Sequence, residues 1–221
     1  DFYKKHQVNA HFVGHPLLDA ISDLAPIDAE NFKKENGLND KEIIALLPGS
    51  REQEVEKMLS LMLSVRDYFK NYQFVIAGAP SLPKEFYQKF VDYDVHFVSN
   101  KTYDLLRCSK AALVTSGTAT LETALLNVPE IVCYRTSTIS YEIGKRVVKN
   151  IKFISLVNLI MDREIVKELI QKELNTENLV TELQKILEGQ KRDEMLKNYE
   201  LLREKLGGKG ASEHAAEIIV N

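Results

Sequence analysis

The sequence predicts an α/β protein built on a doubly wound, mostly parallel sheet that ends in a helical C-terminal tail. Two observations carry this. From about residue 41, short apolar runs alternate with longer amphipathic ones; after residue 160 the short runs stop and only helical spacing continues. Short, partly β-branched runs without in–out alternation suit strands covered on both faces. Strand–helix alternation then calls for parallel strands joined by right-handed crossovers.

The strand candidates are Glu42–Leu47, Gln73–Ala77, Val95–Ser99, Ala111–Thr115, Glu130–Tyr134 and Lys152–Ser155. Between them the spacing predicts helices at Glu52–Phe69, Pro83–Asp92, Thr102–Ser109, Ala119–Leu126 and Ile139–Lys149. Leu59, Met62, Leu63 and Arg66 illustrate the helical period, and Thr102 has the position of an N-cap. Glu164–Lys172, Thr176–Leu187, Lys191–Leu206 and Ser212–Val220 read as the tail, broken by Gly189 and Gly207-Gly208-Lys209-Gly210. The expected division is a junction over 1–40, a nucleotide-binding type of sheet domain over 41–160 and a helical tail over 161–221.

Bulk properties narrow the class. The 221 residues are 44% hydrophobic and 28% charged, enough for one domain with appendages and cramped for two. A formal net charge of −3 gives no nucleic-acid signature. No apolar run reaches the roughly 18–20 residues that span a bilayer, and no signal peptide is recognisable. Cys108 and Cys133 lack metal-ligand spacing and sit in apolar surroundings, which suits free thiols. The opening Asp1-Phe2-Tyr3, without methionine, has the look of a piece of a longer protein, although processing would look the same.

Ligands of such sheets bind beyond the carboxyl ends of the strands, so the loops there are the places to search. In Leu47-Pro48-Gly49-Ser50-Arg51, Gly49 permits close backbone approach, Ser50 can cap the next helix and Arg51 brings a permanent charge. An anion fits a helix N-terminus of this kind; an ordinary turn with Arg51 paired to Glu54 or Glu56 fits the same residues. In Thr115-Ser116-Gly117-Thr118-Ala119-Thr120-Leu121-Glu122, Ser116, Gly117 and Thr118 can donate to phosphate and Glu122 can accept from a ribose diol. The competing description is a capped helix with a solvated glutamate. Asn158 stands among apolar residues, where a sugar, a base or the local backbone can engage it. His15 has no triad partner at useful spacing and reads as structural. The helix Ile139–Lys149 has a basic side that suits either an anionic membrane surface or plain solvent.

Taken in order, Phe12-Val13-Gly14-His15-Pro16-Leu17-Leu18-Asp19, Leu46–Arg51 and Ser116–Glu122 closely resemble the lipid-A-disaccharide synthase family. Tyr134-Arg135, Lys145-Arg146, Leu156-Val157-Asn158-Leu159, Lys167–Gln171 and Ser212–Ala216 continue the match. One departure is Val157, where the family usually has proline. The resemblance covers practically this whole chain but only the C-terminal part of the family's sequence.

It implies the C-terminal half of a GT-B fold, in which two Rossmann-like domains face across a cleft. The implied whole enzyme is an inverting glycosyltransferase. It joins UDP-2,3-diacylglucosamine to 2,3-diacylglucosamine 1-phosphate, releasing UDP and a β-1,6-linked lipid A precursor. It would be a bacterial protein of the cytoplasm, peripheral to the inner membrane. On the same basis Arg51 and Asn158 are the catalytic candidates. Ser50, Arg51, Ser116, Gly117, Thr118, Glu122 and Gln171 are the nucleotide-sugar contacts. No cofactor or metal is implied, since cationic side chains and helix dipoles can stabilise the leaving diphosphate. The expected partners are the UDP-sugar donor, the lipid-linked sugar phosphate acceptor and the missing N-terminal domain. Membrane-surface contact and a homo-oligomer are further expectations, and nucleic acid is not one. The general base is expected on the missing domain, so this piece alone should bind UDP weakly and not catalyse. Two other readings remain open on these residues: another UDP-sugar enzyme of GT-B type (a peptidoglycan GlcNAc transferase or a UDP-GlcNAc 2-epimerase), or a non-catalytic assembly or membrane-docking module.

Overall fold

The protein is described as a computed structural model covering residues 6–92, 95–136 and 152–220. It divides into two compact units, Pro26–Tyr199 and a smaller one formed by Asp1–Ala25 with Glu200–Asn221.

The larger unit holds one six-stranded parallel sheet. Its strands are β1 (Glu42–Leu47), β2 (Tyr72–Gly78), β3 (Val95–Ser99), β4 (Ser109–Thr115), β5 (Glu130–Tyr134) and β6 (Lys167–Ile170). The spatial order is β3-β2-β1-β4-β5-β6, so the direction of winding reverses between β1 and β4. Reversal leaves a crevice at the carboxyl ends of those two strands, because their following helices depart to opposite faces.

Each face of the sheet is covered, as the unbroken apolar strands require. Ile43, Ala45, Leu47, Val75, Ala77, Ala112 and Val114 share one core with Phe32, Leu105 and Leu106. Phe32 comes from α2 (Ala29–Glu35), and the two leucines from α5 (Thr102–Arg107). α3 (Glu52–Leu63) buries Val55, Met58, Leu59 and Met62 at helical spacing. α8 (Thr176–Leu187) packs on β4, β5, β6 and α3, and Thr176 Oγ1 donates to Ser64 Oγ at 2.8 Å. The chain entering β1 is pinned by the fully buried Gln73. Its amide donates to the Asn39 and Lys41 carbonyls and accepts from Asn39 N–H.

The remaining helices are α1 (Pro16–Ser22), α4 (Lys84–Gln88), α6 (Thr118–Leu125), α7 (Leu156–Met161), α9 (Gln190–Lys205) and α10 (Ala211–Val220). In the smaller unit, His15 caps α1 by accepting from Leu17 N–H, the structural role its isolation suggested. Gly14 lies against α10, where an added Cβ would sit 3.1 Å from that of Ala211. Asp19 accepts from the Gly210 and Ser212 N–H groups at the start of α10, which lowers its pKa to about 2. Among the described residues no helix is long and apolar enough to cross a membrane.

Several expected boundaries move. Lys152–Ser155 is not a strand, and Glu164–Lys172 is not a helix: it contains β6 and a short 3-10 turn at Gln171–Glu173. The tail therefore does not begin at 161. β6 and α8 complete the sheet domain, whereas residues from Glu200 group with the chain's first 25. Thr102 is the first helical residue, with Lys101 at the N-cap, and Ser50 gives way to Arg51 at the cap of α3. Cys108 and Cys133 are free, and burial raises the pKa of both thiols. The helix expected at Ile139–Lys149, with Lys145 and Arg146, lies outside the described residues.

Candidate functional site

At the reversal point three strand-end loops enclose a cavity of about 430 Å³. The β1 loop contributes Gly49 and Ser50, the first turn of α3 Glu54, and the end of β2 with its loop Ala77, Gly78, Ala79 and Pro80. The β4 loop and α6 contribute Thr115, Ser116, Gly117, Thr118, Ala119 and Glu122, and Thr102 closes one side. Five of the expected contacts, Ser50, Ser116, Gly117, Thr118 and Glu122, thus converge on one space. The β2 loop carried the same strand-end position and could have been found from it. Gly78 is required there, because a Cβ would lie 2.2 Å from the Phe97 ring. Tyr87 Oη accepts from Ala79 N–H at 3.0 Å and fixes the loop.

The backbone makes the cavity suitable for an anion. α6 begins at Thr118, on the cavity wall, with no side-chain cap; Thr120 N–H bonds the Gly117 carbonyl, and the positive end of the helix dipole lies at the cavity. Gly49 has φ 103°, a left-handed conformation that favours glycine, and Glu54 folds over it so closely that a Cβ would be 2.6 Å from Oε2. Ser81 Oγ donates to the Ser50 carbonyl, tying the β1 and β2 loops together.

Arg51 takes a different place. It lines an adjoining depression of about 560 Å³ with Glu52, Gln53, Glu54, Lys57, Tyr134, Arg135 and Thr136, and Glu54 is shared by both spaces. Arg51 is exposed, and among the described residues it forms no ion pair with Glu54 or Glu56. Glu56 pairs with Lys89 instead. Arg135 clamps the turn after β6 by donating to the Gln171 and Leu174 carbonyls.

Two expected site residues lie elsewhere. Asn158 is fully buried and lines neither space. Its Nδ2 donates to the Val166 carbonyl and Glu168 Oε1, while Oδ1 accepts from Ile165 and Val166 N–H. All four amide valences are used, which leaves none for a sugar and corrects the catalytic assignment. Gln171 also lines neither space; its carbonyl accepts from Arg135, and its buried Nε2 has no partner among the described residues. Ser116 lines the cavity, but its hydroxyl donates to the Ile154 carbonyl at 3.1 Å, so it ties two loops together rather than donating to a phosphate. Val157 is the second residue of α7, in the first turn, where a proline would remove no intrahelical hydrogen bond.

A parallel sheet of this strand order, with its open crevice at the reversal point, defines a Rossmann-like α/β domain. The lipid-A-disaccharide synthetase family matches residues 1–220, and the chain belongs to that family. It is 38% identical to the lipid-A-disaccharide synthase of Syntrophus aciditrophicus, over 97% of this chain and 58% of that protein. The Myxococcus xanthus lipid-A-disaccharide synthase is 34% identical, over 100% of this chain and 59% of its own length. The chain therefore spans less than two thirds of these relatives. Among solved structures, the UDP-GlcNAc 2-epimerase from Neisseria meningitidis bound to UDP-GlcNAc has a TM-score of 0.57 at 17% identity. That likeness covers 94% of this chain and 54% of the epimerase chain, and it concerns the fold.

Proposed function

We propose that this chain is the nucleotide-sugar-binding part of a lipid-A-disaccharide synthase, and that the cavity at the strand reversal holds the UDP portion of UDP-2,3-diacylglucosamine. The observation that carries this reading is the convergence of Ser50, Gly117, Thr118 and Glu122 on one cavity at that reversal. Glu122 accepts from the ribose, and the α6 N-terminus faces the diphosphate. Arg51, with no ion pair among the described residues, turns from the adjoining depression toward the phosphates. There Arg51, Lys57 and Arg135 outnumber the carboxylates of Glu52 and Glu54, so the local field favours an anion.

Catalysis in the whole enzyme follows from charge development. Negative charge grows on the UDP diphosphate as the sugar C1–O bond breaks, and donors already aimed there lower the barrier. The 6-hydroxyl of 2,3-diacylglucosamine 1-phosphate attacks C1 with inversion, and its proton passes to a general base outside these residues. The lipid-linked substrates put the reaction at the cytoplasmic face of the inner membrane.

Calorimetric titration of UDP into the chain and into Arg51→Ala tests this. A charged hydrogen bond is worth roughly 1.5–3 kcal/mol, so the substitution is expected to weaken binding by about 10- to 150-fold. Equal affinities, or no binding by the unsubstituted chain, would overturn the reading.

A further inference from the structure

Glu122 is held by a residue from another crossover. Tyr103, in the first turn of α5, donates its hydroxyl to Glu122 Oε1 at 2.8 Å. Both side chains are half-buried. Glu122 lines the cavity, and so does Thr102, the neighbour of Tyr103. Among the described residues Tyr103 is the one donor to this carboxylate. Burial, reinforced by Glu122 itself, raises the phenol pKa, so the hydroxyl remains a donor across the working pH range.

An ionised carboxylate offers about four acceptor positions, of which Tyr103 occupies one. A glutamate with free rotamers in an open cavity accepts hydrogen bonds in many directions and favours no particular diol. With one oxygen pinned, the other presents a fixed edge that can accept from two neighbouring hydroxyls at once. We propose that Tyr103 is a positioning residue that aims Glu122 at the vicinal 2′,3′-diol of a nucleotide, and so sets a preference for ribose over 2′-deoxyribose. This rests on the nucleotide reading above and adds the source of its sugar selectivity.

The test compares UDP and 2′-deoxy-UDP binding by calorimetry in the unsubstituted chain, Tyr103→Phe and Glu122→Ala, with the melting temperature of each ligand-free protein recorded. Loss of a charge-assisted hydrogen bond predicts that the unsubstituted chain prefers UDP by about tenfold or more. Tyr103→Phe is expected to narrow that ratio to about threefold or less. A merely structural tyrosine would weaken both ligands together and leave the ratio unchanged. An unchanged ratio in Tyr103→Phe, with the ratio collapsed in Glu122→Ala, overturns the role of Tyr103 alone. No UDP binding by the unsubstituted chain, or no preference for ribose, overturns the placement of the ribose at Glu122 and this inference with it.

Discussion

Asn158 and Glu168 form a buried polar bracket at the residue scale. Glu168 gathers Ile154 N–H, Ser155 N–H, Ser155 Oγ and Asn158 Nδ2 at 2.8–3.0 Å, while Asn158 satisfies two backbone N–H groups of the 165–166 turn. Ile154 then accepts from Ser116, so the bracket reaches the cavity rim through one further bond. Asn158→Ala leaves both N–H groups buried without a partner, at about 1–3 kcal/mol each. The expected result is a melting temperature lower by about 4–24 °C, with UDP affinity at low temperature within about threefold of the unsubstituted chain. A large loss of affinity in a folded Asn158→Ala protein would contradict this structural role. Sequence could nominate Asn158 as a hydrogen-bonding residue surrounded by apolar ones. It could not show its partners, because Glu168 is ten positions away and reaches it only through the parallel pairing of β5 with β6.

Single polar residues decide how the elements could be interpreted. β1, β3 and β5 have the bounds their apolar runs indicate; β1 and β5 are buried along most of their length, and β3 buries Val95 and Val98. β6 is hidden in the sequence because Lys167 and Glu168 give Glu164–Lys172 a helical mixture of polar and apolar residues; only its parallel pairing with β5 makes it a strand. β5 carries the opposite case. Glu130 is fully buried, and neither carboxylate oxygen has a partner among the described residues. Burial first, and then Glu168, pushes its pKa well above the ordinary carboxylate range. The folded protein therefore keeps this proton after the unfolded chain has lost its own near pH 4.3, so stability declines as pH rises above that value toward the folded pKa. Glu130→Met removes an unpaired buried acid, worth roughly 1–3 kcal/mol. Thermal unfolding at pH 7 should show a gain of about 2–12 °C, with the gain shrinking as pH falls toward 4. A lower melting temperature for Glu130→Met at pH 7 would show that Glu130 has a stabilising partner.

The strand order is what turns scattered loops into a site at the scale of the whole molecule. Sequence patterning indicated parallel strands and loops with phosphate-friendly residues, but the neighbours of β1 follow from long-range pairing that no local pattern encodes. With β1 set between β2 and β4, Gly49, Gly78 and Gly117 come from three separate crossovers to one opening. The central claim is that a nucleoside diphosphate occupies this opening, and its most direct test is amide NMR of the isotope-labelled chain during UDP titration. Saturable shifts are predicted at Gly49, Gly78 and Gly117, with Gly189 and Gly208 unmoved. No saturable shift at the first three, or larger shifts at Gly189 and Gly208, would contradict it.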